Sequence, residues 1–210
     1  MRRPGWENAE HCATLRTRAC QLARTRWADA LEVARGIEIP WYRAQALAGV
    51  AESAPEERVD DVLTRACSAA AEGNDAYQRV AVLAWVIEAA AARGRIEYAK
   101  RVLADALAKS AGVTPLRSRA TTLELLLRAA VGLGERDARV VAVALLDAAA
   151  ELRAHSGKRW RKWGASYLNR TACLLAPYPA LALSLLEACL GEERAKAVFT
   201  RHTAARVHNR

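Results

Sequence analysis

Between residues 157 and 163 the chain reads GKRWRKW, four cations and two tryptophans in seven residues. Lys158, Arg159, Arg161 and Lys162 are the residue types that contact phosphates or an acidic peptide, and tryptophan rings are a type on which bases stack. Spacing qualifies that chemistry. On a helix Trp160, Trp163 and Tyr167 fall at i, i+3 and i+7, and the series runs on through Thr171 to Leu174 and Leu175. The rings therefore belong to one apolar stripe and are expected to face a core, with the cations beside or opposite it. Four cations in a first helical turn oppose the macrodipole. An acidic partner would explain them, and so would ion pairs with Asp147 and Glu151 of the preceding helix.

Other chemistries find less support. PEERVDD, residues 55 to 61, gathers Glu56, Glu57, Asp60 and Asp61, but a helix starting at Pro55 favours carboxylates in its first turn through its dipole, and no histidine accompanies them. His11, His155, His202 and His208 are scattered, without HxxxH, HExxH or CxxC spacing, so no metal site is expected. No glycine-rich phosphate loop, GxSxG elbow or Ser/His/Asp order stands out. The expectation is a non-enzymatic protein with no catalytic residue and no cofactor.

The 210 residues carry a net charge of +9, with 27 arginines among 32 basic side chains. Residues 36 to 75 are acidic, at net −5, and residues 158 to 210 are basic, at net +7. Such a basic end attracts anionic partners. The tail TRHTAARVHNR holds Arg201, Arg206 and Arg210 with nothing acidic and reads as a fraying terminal helix. The charged start MRRPGWENAEHC lacks a signal-peptide apolar run, no stretch approaches the ~20 apolar residues of a membrane span, and five cysteines without CxxC spacing read as small core residues. A cytoplasmic protein with no membrane partner is expected.

The elements that must position these residues repeat. VLTRAC (62 to 67), VLADAL (102 to 107), ALLDAA (144 to 149) and SLLEAC (184 to 189) align so that Leu63, Leu103, Leu145 and Leu185 each precede Ala66, Ala106, Ala148 or Ala188 by three residues. The alanines are 40, 42 and 40 residues apart, and a weaker copy, WADAL at 27 to 31, places Ala30 a further 36 residues upstream. A second series lies between: YRAQALAGVA (42 to 51), QRVAVLAWVI (78 to 87) and SRATTLELLL (118 to 127), opening on Arg43, Arg79 and Arg119, with Trp163 to Ala172 in the corresponding place of the next unit. Both series have apolar residues at helical period, and SAPEE, EGND, SAGVTP, GLGERD, AHSG and APYP separate them with turn residues. Each unit thus reads as a helix, a short turn and an antiparallel helix. The alanines are expected where adjacent helices approach too closely for leucine.

In GRIEYAKRVLADAL, Gly94, Ile96, Ala99, Leu103, Ala106 and Leu107 fall at the spacings of the second half of a tetratricopeptide motif. Over residues 40 to 190 the chain resembles tetratricopeptide-type and related α-solenoid repeats, although Ile87 and Ala90 depart from the first half of the motif, the closing proline is missing and the units exceed 34 residues. The resemblance implies a partner-binding scaffold whose first helices line a concave face. The expected fold is all-α, one helical-repeat domain over 1–210: an amino-terminal hairpin (1–36), main repeats (40–190) and a carboxyl-terminal helix and tail (191–210), an α-solenoid of about five antiparallel hairpins. The expected function is binding of a protein or peptide segment, an acidic one included, through the polar residues that punctuate first helices: Arg43, Gln45, Arg79, Glu124, Arg128, Asn169 and Arg170. The alternative is a nucleic-acid backbone binder using the basic stretch from Lys158 to Arg206.

Overall fold

The computed structural model of the chain describes residues 6–154 and 157–207, with side chains described for 7–154 and 157–200. The described residues are all-α, without a strand. They form two compact units, Met1–Lys109 and Ser110–Arg210. His155, His208 and Arg210 lie outside the described residues. Arg201, His202 and Arg206 are on the last helix, with side chains outside the description. No described helix is long and apolar enough to cross a membrane.

The first unit contains α1 (Trp6–Ala23), α2 (Trp27–Arg35), α3 (Pro40–Ala51), a single 3-10 turn at Glu56–Arg58, α4 (Val59–Ala71), α5 (Ala76–Ala81), α6 (Leu83–Ala92) and α7 (Ile96–Ser110). Helix α1 packs on α2 and α3, and α3 packs on α4 and α6. Pro40 opens α3 at a position whose N–H would have no helical partner anyway. Asp75 caps α5 by accepting the Gln78 backbone N–H at 2.7 Å, and the Gln78 side chain accepts the Asn74 N–H in return. Gly94, at φ 71, lets Arg95 N–H reach Ala90 O and Gly94 N–H reach Ala91 O, the paired bonds that end α6 and turn the chain into α7. The acidic group at 56 to 61 fastens this turn: Glu56 accepts from Arg93 and Arg95, and Asp60 accepts from Arg95 at 2.9 Å. Arg93 also reaches the Ala54 carbonyl. These carboxylates are arginine acceptors, and no described group of three His, Cys, Asp or Glu is placed to hold a metal ion.

The second unit contains α8 (Leu116–Val131), α9 (Glu135–Ala154), α10 (Lys158–Leu174), α11 (Pro179–Leu190) and α12 (Glu192–Val207). Helix α9 packs against both α8 and α10, while α12 folds back on α11 and α10. The segments of the two repeat series fall within these helices, except that QRVAVLAWVI is broken at Val82 between α5 and α6, and SAPEE, EGND, SAGVTP, GLGERD and APYP fall between helices or at their ends.

Leu63, Leu103 and Leu145 are buried with Ala66, Ala106 and Ala148. The fourth copy departs from that register. Leu185 is half-buried and Ala188 exposed, while Ala182 and Leu186 take the core positions. The reason is the neighbour: Leu186 packs with Ala172 and with Ala195 of α12, so the buried stripe of α11 is rotated by one residue toward that helix. Cys189 is consequently exposed, and Cys12 is the fully buried member of the five free cysteines.

Candidate partner-binding face

Two rows of side chains run along first helices at spacings of three and four. In the first unit Arg16 and Cys20 share a face of α1, and Arg24 follows in the turn at its end. Trp41, Gln45 and Ala48 share a face of α3, with Glu52 capping its end, and Tyr77, Trp85 and Glu88 continue the row on α5 and α6. The helices pair these rows rung by rung. Trp41 stacks on Tyr77, with centroids 5.8 Å apart and planes at 18°, and meets Trp85 edge-on at 5.7 Å. Arg16 Nη1 donates to Gln45 Oε1 at 2.9 Å, and its guanidinium lies 6.0 Å from the Tyr42 ring. One rung below, α1 and α3 approach so closely that a Cβ on Gly49 would stand 2.5 Å from Cys20 Sγ.

These rungs border a groove of about 250 Å³ with Arg16, Cys20 and Arg24 on one side and Gln45, Glu52 and Trp85 on the other. Its electrostatics are mixed. Burial, then the charge of Glu88, raises the Glu52 carboxyl above its ordinary value, with Arg24 opposing. Burial likewise pushes the Cys20 thiol up. The groove therefore presents two guanidiniums, an amide, a carboxyl raised above its ordinary value and an indole.

The second unit repeats the scheme. Arg117, Thr121, Glu124 and Arg128 share a face of α8, and Trp163, Tyr167 and Arg170 share one of α10. The Arg117 guanidinium covers the Trp163 ring at 4.2 Å, the Thr121 and Tyr167 hydroxyls bond at 2.7 Å, and Arg170 Nη1 donates to Glu124 Oε2 at 2.8 Å. This placement corrects the expected aromatic core stripe. Tyr167 is buried, but Trp160 and Trp163 are half-buried. Trp163 meets the first turn of α8, where Arg117 rather than an apolar side chain covers it, and Arg159 and Trp160 close on it at 4.9 and 5.1 Å.

The seven residues expected to bind a partner separate into groups. Gln45 is on the first-unit row, 4% exposed and held by Arg16. Glu124 and Arg170 pair with each other across α8 and α10, and Arg128 is exposed one turn further along α8. Arg43 and Arg79 act elsewhere: each folds back on the carbonyl six residues earlier, Ile37 and Gly73, clamping the turn that leads into its own helix. Arg43 is also paired with Glu72, and Arg119 with Glu151. Asn169 faces a separate recess beside Leu168, Leu190 and Val198. The expectation missed Arg16, Cys20 and Arg24, because α1 lies outside the stretch where the repeat is strong. The four-residue spacing of Arg16 and Cys20 on α1, continued by Arg24 in the turn that follows, is the signal that would have found them.

The four cations of GKRWRKW are exposed at the start of α10. Of the two acids named as their partners, Glu151 is taken by Arg119. Lys158, Arg161 and Lys162 have no ion-pair partner among the described residues.

Comparison with known proteins adds the fold alone. The chain is similar to the crystal structure of Ton1535 from Thermococcus onnurineus NA1, with a TM-score of 0.66 and 16% identity, over 92% of this chain. It spans 58% of that protein's length. No protein-family profile matches the chain, and no curated protein sequence matches it.

Proposed function

We propose that the protein is a non-enzymatic interaction scaffold, a tetratricopeptide-like α-solenoid of about five hairpins whose first helices hold a segment of a partner protein. The observation that supports this is the groove between α1, α3 and α6, where Arg16 and Arg24 face Gln45, Glu52 and Trp85. Rungs already satisfied by Arg16 with Gln45 leave the groove ordered before a partner arrives, which lowers the ordering cost of binding. Arg16 and Arg24 select acidic side chains on the partner, and the half-buried Trp85 supplies apolar contact area.

A display selection of random peptides on the full chain tests this. The account expects enriched peptides with acidic residues, and an affinity at least about tenfold lower for Arg24→Glu. Peptides that bind the Arg24→Glu chain as well as the parent would refute the assignment of this face.

A second reading rests on the unpaired cations of α10: the basic stretch from Lys158 onward contacts a nucleic-acid backbone. Arg159 is engaged with Trp163, so Arg161 and Lys162 are the informative positions. If they contact phosphates, Arg161→Glu with Lys162→Glu should weaken binding across all sequences. Each lost contact should flatten the slope of log K against log salt by roughly 0.7 to 0.9. Equal salt slopes for parent and double variant would remove this reading.

A further inference from the structure

A cavity of about 560 Å³ opens between α4 and α7 over α5, lined by none of the residues that line the groove. Its origin is legible in the sequence: Ala70, Ala71 and Ala76 stand where longer side chains would have filled the space. Val80, Leu83 and Val102 make the remaining wall apolar. Tyr98 and Cys67 form the polar part of the lining, with the hydroxyl and the thiol 3.5 Å apart in a hydrogen bond. Burial drives the Tyr98 phenol well above its ordinary value and raises the Cys67 thiol. Both keep their protons at neutral pH and present no negative charge.

The charges around the cavity are unequal. Arg79, Arg101 and Lys109 border it against the single carboxylate of Asp105, which Lys109 pairs at 2.7 Å. Arg79 spends one nitrogen on the Gly73 carbonyl. Arg101 is exposed and rests against the Tyr98 ring at 5.8 Å, and no carboxylate among the described residues pairs with its fork of N–H donors. A volume within the roughly 300–1,000 Å³ of small-molecule sites, an apolar wall and a cationic rim together define a ligand by its chemistry.

We propose that this cavity binds a small organic acid with an apolar body, a medium-chain or aryl carboxylate, whose body lies on Val80, Leu83 and Val102 and whose carboxylate is held by Arg101. The neutral Tyr98 hydroxyl and Cys67 thiol serve as further hydrogen-bonding groups. The site shares no lining residue with the groove on α1, α3 and α6.

The test uses the full chain with decanoate and decylammonium as probes of equal apolar length and opposite charge. Calorimetric titration should give one decanoate per chain, with decylammonium weaker by about tenfold or more. Decanoate should slow alkylation of Cys67, read site by site by mass spectrometry, and leave Cys20 unchanged. Arg101→Glu should weaken decanoate about tenfold. Ala71→Phe, which fills the mouth, should abolish binding. Should Ala71→Phe lose helicity, the surface variant Arg101→Glu still decides the matter. Absence of decanoate binding at about 1 mM, equal affinity for the two ions, or an unprotected Cys67 would each overturn the proposal. A partner helix that protects Cys67 where decanoate does not would overturn it as well.

Discussion

Leu145→Ala is expected to destabilise the protein by about 2 to 5 kcal/mol, whereas Leu185→Ala is expected to cost less than about 1 kcal/mol. The two leucines are equivalent in the repeat, 40 residues apart, and sequence alone would give them equal weight. Leu145 is fully buried on α9, which packs against both α8 and α10, so truncation removes its transfer energy and leaves a cavity between close-packed helices. Leu185 sits half-buried on α11 because Leu186 has taken the core position beside Ala172 and Ala195. Denaturant unfolding of both variants by circular dichroism measures the contrast. Equal losses would mean that α11 keeps the register of the other copies.

Gly164→Ala is expected to destabilise by about 1 to 3 kcal/mol, against the usual direction of a glycine-to-alanine change inside a helix, which gains up to about 1 kcal/mol. The cause is the approach of α10 to α9. A Cβ at position 164 would stand 2.5 Å from the Ala149 carbonyl oxygen and 2.5 Å from Arg153 Cγ, with the Arg153 backbone nitrogen at 3.0 Å. Backbone cannot yield as a side-chain tip can, so α9 and α10 must separate and their packing loosens. Gly132→Ala provides the contrast, because its nearest neighbour is the Ala129 carbonyl at 3.4 Å. A melting temperature for Gly164→Ala at or above that of the parent would contradict the close approach.

The helices and their turns were readable because apolar period, proline and glycine act locally. Leu63, Leu103 and Leu145 with their alanines could be placed in a core from spacing alone. The rotation of α11 could not, since it depends on α12, whose contribution through Ala195 has no counterpart in the repeat. The candidate site was less legible for a similar reason. The conspicuous repeated arginines, Arg43 and Arg79, prove to be clamps on backbone carbonyls, a role that repeats because the turn repeats. The rungs between helices join residues such as Thr121 and Tyr167, 46 positions apart, and no single helix announces its partner across the groove. Trp163 looked like core from its period, yet the side chain opposite it is Arg117, which covers the ring without burying it.

The central claim is that a partner segment occupies the groove between α1, α3 and α6, and Cys20 on its wall is a built-in reporter. The decisive measurement is the alkylation rate of each cysteine, by mass spectrometry, in the chain alone and saturated with a selected peptide. The account predicts that the peptide slows Cys20 about tenfold or more while Cys67 and Cys189 react as before. A complex in which Cys20 reacts at its free rate would contradict it.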